Sequence, residues 1–311
     1  MTLARTALVL SLGPLLGAAL AAGCSGSDTA NVGSSGSSGS ASAADAGEGG
    51  AATGDGATGG KFSFFVTSYK RIQELSGSEQ GFGGDLRFGF TGPGSGLKGA
   101  DKICATIAEK SMRGAGAKPW RAFLSATADE NGKQVDAIDR VGQGPWYDRQ
   151  GRAFALEKAH LVAERPTSAD PAIINDFPNE DGVPNHAPDG TQVDNHDMLT
   201  GTNTQGKLYA ADATCLDWTA KDGNIALEGR PRVGHSWPRA GGQGGPRDGG
   251  GAGRDGGFVS PGSGAHWMDS LTESGCAPGV NLIEMGGPLA GAVTVGSGGG
   301  YGGFYCFSLT P

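Results

Sequence analysis

The fold of this chain is decided by a stretch in its middle part, LTGTNTQGKLYAADATCLDWT (199–219). This stretch contains Cys215. Three more cysteines lie apart from it: Cys104 at the end of GADKIC (99–104), Cys276, and Cys306 in GGFYCFSL (302–309). Exported proteins rarely keep four unrelated buried thiols, so this even number predicts a pair of disulfides. Four cysteines allow three pairings, and their positions alone do not choose among them.

The sequence around these cysteines predicts one clear helix and several strands. Apolar residues in LKGADKICATIAEKSMRG (97–114) recur as on one face of a helix, which places Cys104 on the buried side. GPWYDRQG (144–151) predicts a turn with two aromatic residues packed beside it. Short apolar, β-rich runs predict strands at KFSFFVTS (61–68), RAFLSAT (121–127) and GGFYCFSL (302–309).

The N-terminus has the parts of a secretory signal over residues 1–23. Arg5 precedes an uncharged apolar run that is shorter than the roughly 20 residues of a membrane-spanning helix. The boundary LAAGC resembles a bacterial lipobox, which predicts cleavage before Cys24 and diacylation of its thiol. Ser25 in the next position favours sorting to the outer membrane. The alternative is an ordinary signal with a free cysteine, a reactive thiol in an oxidising compartment.

Residues 24–60 form a predicted tether between the lipidated cysteine and the domain. After Cys24 this segment is almost entirely Gly, Ser, Ala, Thr and Asp before Lys61, too little apolar surface to offset its ordering entropy. Residues 61–311 hold all five Trp and predict a single domain. Within it, 238–264 is predicted to be a glycine-rich flexible insertion, and the predicted export argues against the alternative of a nucleic-acid-binding arm. The net charge of −8 likewise predicts no nucleic-acid partner.

The motifs, taken in order, resemble those of a known family. They are GADKIC, KPWRAFLSAT, GPWYDRQG, the 199–219 stretch, VGHSW (233–237) and GGFYCFSL. In this order they resemble the endostatin-like branch of the C-type-lectin-like fold, which includes leptospiral endostatin-like outer-membrane lipoproteins. The resemblance implies an α+β domain with a mixed antiparallel sheet, one or two helices and long loops. It also implies nested structural disulfides, Cys104–Cys306 outside and Cys215–Cys276 inside.

Calcium is the first candidate ligand, because the loop over 170–197 is rich in side-chain oxygens. No EF-hand spacing occurs, and the EPN or QPD triplet of sugar-binding lectins is absent. A solvated polar loop is therefore the preferred interpretation, and we expect no cofactor. If calcium binds, the candidate ligands are Asp176, Asn179, Glu180, Asp181, Asp194 and Asp197.

The sequence shows no local motif for zinc or for hydrolysis. HExxH, CxxC, GxSxG and a P-loop are all missing. The five histidines are scattered, and His235 in VGHSW is expected to be a core or strand-edge residue. We also expect Trp218 to be buried and Asp217 to cap a turn. These observations favour a protein that is not an enzyme.

The sequence therefore predicts a surface-anchored bacterial lipoprotein that acts as a non-enzymatic binding or adhesion module. Its expected partners are the membrane, through the lipid, and an extracellular protein or glycan. Two rival functions stay open: a calcium-dependent carbohydrate-binding lectin that uses the 170–197 loop, and a structural envelope lipoprotein.

Overall fold

A computed structural model describes residues 60–186, 195–237, 266–282 and 291–311. The predicted signal, the lipidation site Cys24, nearly all of the tether, the candidate ligand Asp194 and the insertion at 238–264 lie outside the described residues. Among the helices that the described ranges contain, none has the length and apolar character needed to cross a bilayer.

The described residues form a mixed α+β domain with short elements and long connections. Helices longer than one turn are α1 (Tyr69–Ser76) and α2 (Ser95–Ser111). Single turns are α3 (Ala137–Arg140), α4 (Cys215–Trp218), α5 (Ile225–Glu228) and the 3-10 turns Ala115–Ala117 and Lys158–Leu161. The strands are β1 (Phe64–Val66), β2 (Trp120–Ala122), β3 (Trp146–Tyr147), β4 (Ala153–Ala155), β5 (Asp197–Leu199), β6 (Arg232–His235), β7 (Leu271–Thr272) and β8 (Gly300–Ser308).

The main sheet is organised around β8, whose residues are all buried. Its order is β1-β8-β5-β6-β7, and β2 also pairs with β8. β1 and β2 run antiparallel to β8 and both pair with Cys306, so they lie on opposite edges of it. β5 runs parallel to β8, whereas β6 and β7 continue the sheet antiparallel. The predicted mixed sheet is confirmed.

The core is a cluster of aromatic rings on the sheet. Phe64 of β1 stacks on Phe154 of β4 with ring centroids 3.5 Å apart. Trp267 and Phe307 meet the edge of the same Phe154 ring, at 5.5 and 5.7 Å. Edge-to-face and offset contacts of this kind add about 1 kcal/mol each beyond the area that they bury. The small β3–β4 hairpin is held to the main sheet through these rings.

The predicted helix is confirmed, whereas the second predicted strand is shorter than expected. Of the predicted apolar stripe in α2, Leu97 through Ala108 are buried and Met112 is half-buried. β2 ends at Ala122 rather than at residue 127, because the chain then leaves β8: Ser125 N donates to Thr200 O, just after β5. The sequence did not predict α1. Ser68 caps the N-terminus of this helix, and Gly77, with φ +67°, caps its C-terminus.

Two disulfides link distant parts of the chain, in the nested pattern that the resemblance implies. Cys104 of α2 is joined to Cys306 of β8 across 202 residues. Cys215 of α4 is joined to Cys276 across 61 residues. The outer bond fastens the longest helix to the central strand, and the inner bond fastens α4 to the segment after β7.

Two glycines let α2 lie directly against neighbouring backbone. A Cβ on Gly96 would lie 2.1 Å from the carbonyl oxygen of Asp217, and one on Gly99 would lie 2.0 Å from that of Leu86. No side chain fits at these distances. The glycines weaken the isolated helix by roughly 1 kcal/mol each relative to alanine. Gly96 permits the close packing of α2 on α4, and Gly99 permits its close packing on the segment at Leu86.

The turn α4 has an unusual left-handed backbone. Its residues, Cys215 to Trp218, have φ between +49° and +65°, a conformation that disfavours L-residues by roughly 1–2 kcal/mol each. Tertiary contacts offset the free-energy cost of this backbone conformation. The Asp217 carboxylate accepts hydrogen bonds at 2.6 Å from both the backbone N and the Oγ1 of Thr127, and the buried Trp218 donates Nε1–H to Ser125 O at 2.8 Å. Both residues have the structural roles expected from the sequence.

Removing the outer disulfide should destabilise the domain more than removing the inner one. In the chain-entropy model, loops of these lengths correspond to about 5 kcal/mol for Cys104–Cys306 and about 4 kcal/mol for Cys215–Cys276. Urea unfolding of the two double Cys→Ala variants, compared with the unmodified protein, measures the difference. A larger loss for the inner pair would show that local strain in α4, rather than loop closure, controls the stability.

Candidate functional site

The described residues contain one group of metal-ligating side chains that converge, at the junction of β5 and β6. Asp197 begins β5, His196 precedes it, and His235 ends β6 directly opposite Asp197. Asp197 Oδ1 lies 2.9 Å from Nε2 of His235 and 3.5 Å from Nε2 of His196. The two imidazole rings meet edge to face with centroids 4.2 Å apart. We call these three residues, with Glu273, the His–carboxylate cluster.

The cluster is buried, and it contains a second carboxyl group. Exposure is 0% for Asp197, 1% for His235 and Glu273, and 3% for His196. Glu273 follows β7 and interacts with the carboxyl group of Asp197. Its Oε2 accepts hydrogen bonds from Ser297 Oγ at 2.6 Å and Gly298 N at 2.7 Å. Two carboxyl groups and two imidazoles therefore share one solvent-excluded space.

Burial separates the pKa values of the two carboxyl groups. Burial, and then the charge of Asp197, raise the pKa of Glu273 well above its ordinary value. Burial by itself would also raise the pKa of Asp197, but the nearby His196 and His235 outweigh it and hold this pKa below its ordinary value. Within the pair, the negative charge is therefore favoured on Asp197 and the proton on Glu273.

A serine extends the cluster toward the surface. Ser270 Oγ lies 3.0 Å from Nδ1 of His235, and this side chain is half-buried. Ser270 and Asp197 thus lie on opposite sides of the His235 imidazole, one at each ring nitrogen, and can orient the ring. The imidazole at its centre is almost fully buried, so it lies out of reach of a substrate at the surface.

A half-buried arginine holds the strand end that carries His235. The Arg165 guanidinium donates hydrogen bonds to the backbone oxygens of His235 at 2.6 Å, Ser236 at 2.9 Å and Ile174 at 2.9 Å. It also lies 4.0 Å above the ring of Phe177. The N–H groups of this one guanidinium thereby join three segments of the chain and fix the position of the His235 backbone.

The predicted calcium ligands have separate partners. Asp176 Oδ1 accepts from His186 N at 3.2 Å, and Asn179 Oδ1 accepts from Asp181 N at 3.0 Å in a local turn. Glu180 is buried against the start of α1, where it accepts from Ser68 N and Oγ. Asp197 lies in the His–carboxylate cluster instead. Within the described ranges, no other group of acidic and histidine side chains converges.

The remaining histidines do not join the cluster. His160 pairs with Glu157 near the surface at 3.2 Å, and His186 stacks on Trp237 with ring centroids 3.5 Å apart. His235 is a buried strand residue, as the sequence predicts. The sequence did not indicate Ser270 or Glu273, because each is an isolated polar residue with no motif around it. The only sequence signal for such a site would be acidic residues that alternate with apolar residues in a predicted strand.

No protein-family model matches the chain, and no curated protein matches it.

Asp197 should matter more for stability than Glu273. Asp197→Asn removes the buried anion that both imidazoles face and should lower the free energy of unfolding by about 3 kcal/mol or more. Glu273→Gln replaces a protonated carboxyl with a neutral amide and should lower it by about 1 kcal/mol or less. Urea unfolding at neutral pH, in the presence of a chelator, measures both changes. Equal losses would show that the two carboxyl groups share the charge.

Proposed function

We propose that the protein is a non-enzymatic binding module, exported and held at the bacterial surface through a lipid on Cys24. This proposal joins the sequence evidence for export with one structural observation, an open groove beside α1. The ligand class that we propose is an extended segment of an extracellular protein or a glycan chain.

The groove has a volume of about 370 Å³ and a mixed polar and apolar lining. One side comes from α1 and the turn after it, and the other comes from the segment that follows Cys276. The lining residues are Tyr69, Gln73, Glu79, Gln80, Val280, Asn281 and Leu282. This volume is within the range of ligand sites, and an aromatic ring with neighbouring amides can both stack on a ligand and hydrogen-bond to it.

The walls of the groove are fixed before any ligand arrives. Tyr69 packs against Tyr301 of β8 at 5.7 Å between ring centroids, and its hydroxyl accepts a hydrogen bond from Gln73. The α1 cap Ser68 donates to the buried Glu180. A surface that is already ordered loses little entropy on binding, which favours recognition by weak contacts.

The burial of the reactive groups is consistent with binding rather than catalysis. The most reactive arrangement in the described residues, Ser270–His235–Asp197, has an almost fully buried imidazole. Its hydrogen bonds join β5, β6 and β7. We therefore assign this arrangement to the scaffold and place the ligand at the groove.

Changing the groove should weaken binding without weakening the fold. The exported protein is screened against a glycan array and against envelope and extracellular-matrix proteins. The Gln73→Ala/Gln80→Ala variant should bind the captured ligand about tenfold more weakly, because it loses two amide contacts of about 0.5–1.5 kcal/mol each. Lys70→Ala, an exposed change on α1 outside the groove lining, is the matched control. Equal loss in both variants would place the binding face elsewhere.

The proposed anchor has a separate test. Cys24→Ala should prevent lipidation and move the protein from the membrane fraction to the soluble fraction, because a diacylated cysteine supplies the two chains that stable anchoring requires. Fractionation and mass spectrometry of the N-terminal peptide measure this. Retention of the Cys24→Ala protein in membranes would contradict the lipid anchor and would leave the groove proposal standing.

A further inference from the structure

We propose that the His–carboxylate cluster binds one zinc ion, with His196, Asp197 and His235 as ligands and Glu273 beside the Asp197 ligand. The inference is independent of the proposed binding function. It assigns a metal to the junction of β5, β6 and β7, where the sequence contains no metal-binding motif.

The ligand atoms are of the right kind and at the right separation. Two imidazoles and carboxylates form a donor set that suits zinc. With zinc–ligand bonds of about 2.0–2.1 Å in a tetrahedron, neighbouring ligand atoms lie about 3.3 Å apart. The distances from Asp197 Oδ1 to Nε2 of His235 and His196 are 2.9 and 3.5 Å, on either side of this value. A small adjustment of side chains would admit the ion.

The ligands are held in place by the fold. Asp197 and His235 are a cross-strand pair, so the pairing of β5 with β6 sets their distance. Ser270 Oγ lies at hydrogen-bond distance from His235 Nδ1, which directs Nε2 toward Asp197. Hydrogen bonds of this kind to the second nitrogen orient the metal-binding histidines of known sites. Ser297 and Gly298 hold one oxygen of Glu273 in the same way.

The carboxyl groups of Asp197 and Glu273 have each other as hydrogen-bond partners inside the cluster. Asp197 Oδ2 and Glu273 Oε1 are buried and accept no hydrogen bond from an N–H or hydroxyl group elsewhere in the described residues. Gly298 lies against Asp197, because a Cβ at this position would come within 2.8 Å of its Oδ2. A buried carboxylate with so few donors is unfavourable, and a metal ion would give Asp197 a further partner.

Zinc would also balance the charge of the site. Two carboxylates carry two negative charges, two neutral imidazoles carry none, and Zn²⁺ makes the buried group neutral. Because its three protein ligands are buried, the ion would be structural and would tie β5 to β6 beside Glu273.

The experiment measures metal directly in the full exported chain. Protein secreted in zinc-supplemented medium and purified without chelator should contain one zinc per chain by elemental analysis. Stripping with dipicolinate should lower the melting temperature, and zinc alone should restore it, because an ion that binds only the folded state stabilises it. Substitution with Co²⁺ should produce the visible absorption of a tetrahedral site.

Variants separate the site from zinc bound elsewhere. His235→Gln and Asp197→Asn should each lower zinc content to about a tenth or less of the original and abolish the zinc-dependent rise in melting temperature. His160→Gln, at the surface and outside the cluster, should leave both unchanged. If a variant fails to fold, the zinc content and zinc-dependent melting of the unmodified chain decide the question. Unmodified protein without zinc, whose melting temperature zinc does not change, would overturn the proposal and leave a proton-sharing cluster.

Discussion

The structure depends most on the burial of one strand, β8. All of its residues are buried, and it is hydrogen-bonded to β1, β2 and β5. The disulfide of Cys306 adds a covalent link to α2. Because its partners come from the beginning and the middle of the domain, the last strand must be in place before the sheet is complete. Such long-range pairing is slow to form and cannot be replaced by local structure.

In α2, residues that destabilise the isolated helix permit close tertiary packing. Gly96 and Gly99 reduce the intrinsic stability of the helix, and α4 adopts a left-handed backbone that isolated residues avoid. At Gly96 the backbone of α2 approaches that of α4, and at Gly99 it approaches that of Leu86. The inner disulfide, the Asp217 hydrogen bonds and the buried Trp218 then hold this region together.

Much of the fold could be predicted from the sequence, and the exceptions have physical causes. The apolar stripe of α2 and the aromatic run of β8 are local patterns, and both were predicted. β2 is shorter than its β-rich run because the chain transfers its hydrogen bonds to Thr200. α1 was missed although Tyr69, Ile72 and Leu75 recur at helical spacing, because it has only 8 residues. The calcium candidates were grouped by their density along the chain, and those that the structure describes contact different partners.

The sequence by itself determined the class of the domain, the buried face of its main helix, its last strand and the presence of two disulfides. These follow from composition and short-range periodicity, which do not depend on how the chain returns on itself. Only the tertiary structure decided that His196, Asp197, His235 and Glu273 share one buried space. These residues belong to three separate segments, and the register of β5, β6 and β7 alone brings them together.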